Sequence, residues 1–130
     1  MLALLFERTH RVLLSRFGGS FTSEDMERVD RAVMLIIGRE GPIRGILDFT
    51  DVETIEVSRA RLAERARQPQ IAAGQERVFV ANKPHILAAA HVYATLQYEF
   101  GSMAPRIVST LAEASALLGM QEPRFDPVDL

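Results

Sequence analysis

Asp48, Thr50 and Asp51 put two carboxylates and a hydroxyl at the polar end of the apolar run Arg44–Thr50. Oxygen ligands of this kind suit Mg²⁺, which takes one or two protein carboxylates and keeps several waters. Lys83-Pro84, after a later apolar run, adds a cation that would complete a phospho-acceptor arrangement at Asp48 or Asp51. Such a site also needs an acidic pair after the first parallel strand, where this chain has Gly18-Gly19-Ser20. Aspartates at strand ends serve equally as turn and cap residues, and that plainer role is the one expected here.

A second group lies downstream. Arg59, Arg61, Arg65 and Arg67 fall within nine residues that hold one acid, Glu64. Ser58 precedes them as a helix cap, so backbone N–H groups and guanidinium forks could together face a phosphate or carboxylate. The plain alternative is an ordinary cap followed by a solvated basic face. Arg61 and Arg65 would share that face, one turn apart, while Ala60, Ala63 and Ala66 supply a thin apolar stripe.

Other chemistry is limited by what is missing. There is no cysteine, so disulfides and thiolate zinc sites are excluded, and His10, His85 and His91 have no metal-binding spacing, so no metal site is expected. Phe17-Gly18-Gly19-Ser20 lacks the spacing of a phosphate or dinucleotide loop and reads as a turn, and no Gly-x-Ser-x-Gly elbow marks a nucleophile. No catalytic residue and no cofactor is therefore expected. A net charge of −2 with 25% charged residues lacks the basic field of a nucleic-acid binder. No apolar run approaches the roughly 20 residues that cross a bilayer, and Met1–Phe6 is too short and lacks the basic flank of a signal peptide. The expectation is a soluble cytoplasmic protein with no nucleic-acid partner and no integral membrane segment.

The elements that must position these residues follow from periodicity. Leu2–Glu7 and Arg11–Gly18 read as a hairpin, ended by Gly18-Gly19-Ser20. Thr22 or Ser23 caps a helix to about Arg39, with Met26, Val29, Val33, Ile36 and Ile37 at helical spacing. Gly41-Pro42 stops it, and Arg44–Thr50 is a buried strand with a loop beyond Asp51. Then come a helix from Ser58 to about Gln68, a strand Glu76–Asn82, a helix Pro84–Phe100, a strand Pro105–Ser109 and a helix Leu111–Leu118 capped by Thr110. The order β-β-α-β-α-β-α-β-α implies a single-domain α/β fold with four helices and a mixed, mostly parallel sheet of about five strands. The domain spans 1–119, and the proline-containing tail 120–130 is expected to be poorly ordered.

The helix from Pro84 is unusual, because between Ile86 and Phe100 only Glu99 carries a formal charge. A surface helix shows one apolar stripe, whereas Leu87, Tyr93, Leu96 and Phe100 cover more than one face. Burial under neighbouring helices, a homodimer interface and one wall of an apolar ligand pocket are the three roles such a helix could fill. A self-association or partner face that also touches the core is preferred.

With this order of elements, residues 1–119 resemble the STAS fold of anti-sigma-factor antagonists, and more closely the SpoIIAA-like group related to both STAS and Sec14-type lipid-binding domains. The resemblance is carried by Arg11–Gly18 leading through Gly19-Ser20-Phe21-Thr22 into the first helix, by Gly45-Ile46-Leu47-Asp48-Phe49-Thr50-Asp51-Val52, and by Val78-Phe79-Val80-Ala81. In STAS antagonists the loop after the strand that is Ile46–Thr50 here ends in an Asp-Ser-Ser-Gly turn, whose first serine a partner kinase phosphorylates. This chain departs from that turn: Glu56 stands for the aspartate, Val57 for the phosphoserine, and Arg59 for the glycine.

The resemblance implies a non-catalytic regulatory module that docks a protein partner through Thr50, Asp51, Glu56, Ser58, Arg59, Arg61 and Arg65, with Ser58 as the candidate for phosphorylation. The alternative is a carrier of a small apolar or lipid-like ligand held between the Pro84–Phe100 helix and the sheet. A Mg²⁺-dependent enzyme or phospho-acceptor at Asp48 and Asp51 is the third reading.

Overall fold

Alternation along the second strand sends Val12 and Leu14 to one side of a sheet and Leu13, Ser15 and Phe17 to the other, and all five are buried. A strand buried on both faces belongs inside a sheet with cover on each side. The computed structural model describes residues 1–129 and has that arrangement. In chain order the elements are β1 (Leu2–Glu7), β2 (Val12–Thr22), α1 (Ser23–Glu40), β3 (Arg44–Glu56), α2 (Arg59–Arg67), β4 (Arg77–Val80), α3 (Pro84–Glu99), β5 (Arg106–Val108), α4 (Leu111–Leu117) and β6 (Asp126–Pro127). The sheet order is β5-β4-β3-β2-β1-β6. β2 through β5 are parallel, and β1 is antiparallel to both β2 and β6.

The mixed α/β fold, the four helices and the mostly parallel sheet are as the sequence implies. The strand count is six rather than about five, and β1 lies inside the sheet rather than on its edge. The tail supplies the difference: after Gly119, Met120 is buried against Val12 and Leu14, Phe125 packs on the same cluster, and Asp126 and Pro127 pair with Phe6 and Leu5. Pro127 suits an outermost strand, where a missing N–H costs no ladder bond.

Local signals account for the helix ends. Thr22 and Asp25 form a reciprocal capping box at the start of α1, and Gly41, at φ 82°, donates its N–H to Ile37 at the end. Ser58 caps α2 through the Arg61 N–H, and Pro84 occupies the first turn of α3.

The glycines do not end β2. Gly19 takes φ +69° within the strand, and β2 runs on through Ser20, Phe21 and Thr22, paired with Thr54, Ile55 and Glu56. β3 therefore continues to Glu56 instead of stopping at Thr50. Because β4 meets β3 only along Gly45–Asp48, the far halves of β2 and β3 form a two-stranded arm beyond the sheet body. The register slips twice along it: Arg16 and Gly18 face Asp48 and Asp51, and Gly19 and Ser20 face Val52 and Thr54. Each slip is a bulge that adds one residue to β3.

Helices α1, α2 and α3 cover the face that carries Leu13, Phe17 and Phe49, while α4 and the tail cover the face of Val12, Ile46 and Val78.

Candidate functional site

The face under α1–α3 is where packing leaves room. Leu13, Leu47 and Phe79 form its floor from the sheet, while α3 presents Ala89 and Ala90, too short to reach across. The result is a cavity of about 150 Å³ with predominantly apolar walls. An aromatic series runs beside it: Phe17 stacks on Phe49 at 5.0 Å, Phe21 meets both edge-on, Phe49 meets Phe79 at 5.5 Å, and Phe79 stacks on Tyr93 at 6.1 Å. Phe21 and Ile55, from the arm, also line it, so the strand extension that the glycines concealed supplies part of the wall.

Polar groups are also among the lining residues. Arg65 of α2 donates from Nε and Nη2 to the Asp30 carboxylate of α1, at 3.0 and 3.3 Å. Arg77, the first residue of β4, donates from Nη2 to Gln97 Oε1 at 3.0 Å and to the Met103 carbonyl at 2.6 Å. Gln97 is fully buried and turns its amide toward the Tyr93 hydroxyl at 3.4 Å. Arg65 Nη1 and Arg77 Nε are buried without a hydrogen-bond partner, as is Arg61 Nη1 nearby on α2.

Charge at this end follows from burial and from the one carboxylate. Burial pulls the Arg65 pKa down, but the hydrogen bonds and charge of Asp30 outweigh it and hold the guanidinium above its ordinary value. Arg77 has no carboxylate partner: burial pushes its pKa down, Tyr93 pulls the other way, and the neighbouring Arg65 charge adds to the lowering. The Tyr93 phenol is raised, mainly by burial, with Arg65 and Arg77 pulling the other way. Tyr93 is thus a neutral hydroxyl at physiological pH.

The strand-end cluster of Asp48, Thr50, Asp51 and Lys83 has a different use. Asp48, 3% exposed, accepts from both the N–H and the hydroxyl of Thr50 at 2.9 and 2.7 Å, and its other oxygen lies 3.6 Å from Arg16 Nε. The first bulge displaces Thr50 from the ladder, and the Asp48 side chain satisfies its N–H. Lys83 Nζ donates to the Thr50 carbonyl, and at the second bulge His85 Nε2 contacts the Glu53 carbonyl at 2.7 Å. Asp51 is exposed and stands 4.0 Å from Arg16. Among the described residues, no cluster of three or more His, Asp or Glu side chains could hold a metal ion. His10, similarly, bonds the buried Glu7 carboxylate in the β1–β2 turn.

The residues considered for partner docking divide into two sets. Thr50, Asp51, Glu56, Ser58 and Arg59 lie along the arm and the start of α2, where Glu56 accepts from the Ser20 hydroxyl and Ser58 caps the helix. Arg65, expected on an exposed basic face with Arg61, is instead 9% exposed and lines the cavity. Val57, at the place of the STAS phosphoserine, is 8% exposed and packs with Phe21 and Val52. On α3, Leu87 packs against this same cluster, Tyr93 forms cavity wall, Leu96 is half-buried, and Phe100 lies on the exterior under the Arg67 guanidinium. The helix thus walls the cavity with one side and exposes Val92 and Tyr98 on the other.

Sequence reasoning missed Asp30 and Arg77. A signal existed for Arg77, a charged residue opening the otherwise apolar strand Val78-Phe79-Val80, and Tyr93 and Gln97 stand four apart on one face of α3. Asp30 carried no signal, because an acid on an amphipathic helix ordinarily faces water.

No protein-family model and no curated protein matches the chain. Among solved structures it is similar to the anti-sigma-factor antagonist SpoIIAA in its unphosphorylated form, with a TM-score of 0.55 at 14% identity, covering 88% of this chain and 94% of that one. The fold is therefore STAS/SpoIIAA-like. No helix among the described residues is long and apolar enough to cross a membrane.

Proposed function

We propose that this domain is a non-catalytic binding module whose primary site is the cavity between the sheet and α1–α3, and that it holds a small, largely apolar molecule there. The carrying observation is the cavity itself. Close packing is the rule in protein interiors, and a partly open pocket of about 150 Å³ with apolar walls is large enough for a benzene-sized guest. The test is ligand-observed NMR with toluene, with Ala90→Leu as the control. Toluene is expected to bind the native chain and to be excluded by the leucine, which fills the space without breaking the helix. Equal toluene binding by both proteins, or none by either, would remove this reading.

A second reading is protein docking in a regulatory role, favoured by the SpoIIAA-like fold and by the exposed polar groups of the arm. The surface proposed is Asp51, Glu56, Ser58 and Arg59, without phosphorylation at position 57, where no hydroxyl exists. Arg65 drops out of this surface because it is buried. Glu56→Arg combined with Arg59→Glu should abolish capture of a partner that the native chain retains; unchanged capture would exclude this surface.

A further inference from the structure

The cavity reading leaves the chemical class of the guest open, and the inference that follows rests on that reading. Three features of the arginine-bearing wall narrow the class.

The first is a charge imbalance. Arg65 and Arg77 share the cavity lining with one carboxylate, Asp30, and both of Asp30's oxygens are already engaged by Arg65. Arg77 hydrogen-bonds only to neutral acceptors, the Gln97 amide and the Met103 carbonyl, and no carboxylate forms an ion pair with it among the described residues. Arg61, earlier on α2, adds positive potential near Tyr93 and does not add an acid. A half-buried guanidinium whose acceptors are all neutral lacks the counter-charge that would offset its lost hydration.

The second is unused donors. Arg65 Nη1 and Arg77 Nε are buried without acceptors, and buried polar groups in folded proteins almost always have partners. The Tyr93 hydroxyl, kept neutral by burial, is a further donor at the cavity wall. Guanidinium N–H groups and a hydroxyl together suit the planar, two-oxygen geometry of a carboxylate.

The third is size. A space of about 150 Å³ admits one ring or a short branched chain and excludes a phospholipid tail. The residues around it, Leu47, Phe79 and Ala90 among them, supply contact for such a body.

We propose that the cavity binds a small apolar monocarboxylate, with its ring or branched chain against the aromatic wall and its carboxylate on Arg77 and the free edge of Arg65. Arg77 is the discriminating residue, because Arg65 already has Asp30. The carboxylate supplies two charged acceptors to the guanidinium groups, whereas the amide of the same shape offers a single uncharged one.

The experiment compares benzoate with benzamide, which has the same body without the charge, by calorimetry on the full chain. Benzoate should bind at least about tenfold more tightly, as expected for charge-assisted over neutral hydrogen bonds. Arg77→Met should reduce that preference to within about twofold, weakening benzoate far more than benzamide, and Arg77→Lys should restore most of it through charge alone. If Arg77→Met fails to fold, Arg77→Lys and the native chain still test the charge, using isovalerate against isovaleramide as a second pair. Equal affinity for acid and amide in the native chain would overturn the monocarboxylate assignment and leave the cavity reading intact. Absence of binding by any of the four probes, with toluene still bound, would likewise overturn it. Loss of toluene binding as well would remove the cavity reading beneath it.

Discussion

Asp48 shows how a side chain that looks poised for chemistry can be committed to the backbone. One of its oxygens accepts from both the Thr50 N–H and hydroxyl at a bulge of β3, so its loss leaves a half-buried donor unmet. Asp48→Ala should lower unfolding free energy by about 2 kcal/mol, and Asp51→Ala, an exposed change, by less than about 0.5 kcal/mol. Urea denaturation separates the two; equal effects, or a Mg²⁺-dependent shift in either, would restore the carboxylate-pair reading. Tyr93 gives a pH signature. Its folded pKa lies above the ordinary phenol value of 10.0, so the unfolded chain ionises first as pH rises. Its contribution to stability is complete below about pH 10 and is lost as pH climbs from there through the folded pKa. Tyr93→Phe should flatten that alkaline limb in denaturation profiles, and an unchanged limb would place the phenol in water. At this scale the sequence was legible for caps and turns: Thr22, Ser58, Thr110 and Gly41 do what their types imply. It was illegible for Arg65 and Arg77, because burial of a charge depends on which distant groups meet it, and Asp30 and Gln97 lie 35 and 20 residues away.

Elements were read correctly where periodicity is strong and wrongly where glycine interrupts it. Gly18-Gly19 signals a turn in most sequences, yet here Gly19 serves a positive φ inside β2 and lets the strand follow two bulges in β3. A Cβ at Gly19 would meet nothing within 4 Å, so steric crowding does not select glycine there; the backbone conformation does. Gly19→Ala should therefore cost about 1 kcal/mol, the usual price of a left-handed conformation for an L-residue. A Cβ at Gly18 would press on the flexible end of Met1, 3.1 Å away, and meet Asp51 at ordinary contact distance, so Gly18→Ala should cost less. Thermal melts of the two variants decide it, and the reverse order would mean that packing governs the arm. In the tail, Pro123 and Pro127 argue against regular structure locally, whereas Met120 and Phe125 pack on an apolar cluster that only the assembled sheet presents.

For the molecule as a whole, the cavity and the arm meet at α2. This helix has nine residues, of which Arg65 and Ala66 are buried, and the first is held by its ion pair to Asp30. Elements with little buried apolar surface open at low free energy, so α2 is the wall of the cavity expected to loosen first. Its first residues adjoin Ser58 and Glu56 on the exterior, and a guest that engages Arg65 would quieten both ends of the helix. Binding that requires the closed form raises the free energy of opening by the linkage amount, about 2.7 kcal/mol at a hundredfold excess over Kd. Hydrogen exchange should then slow in 59–67 by up to about a hundredfold with saturating ligand, while amides in the body of β2–β4, which already open only with the whole domain, gain no more than the global increment. Protection confined to the sheet, with α2 unchanged, would show that the guest enters elsewhere. Slowing in α2 by the same factor as in the sheet, which is what binding to the closed form alone requires, would tie occupancy of the interior to the order of the surface proposed for docking, and would make the two functional readings parts of one device.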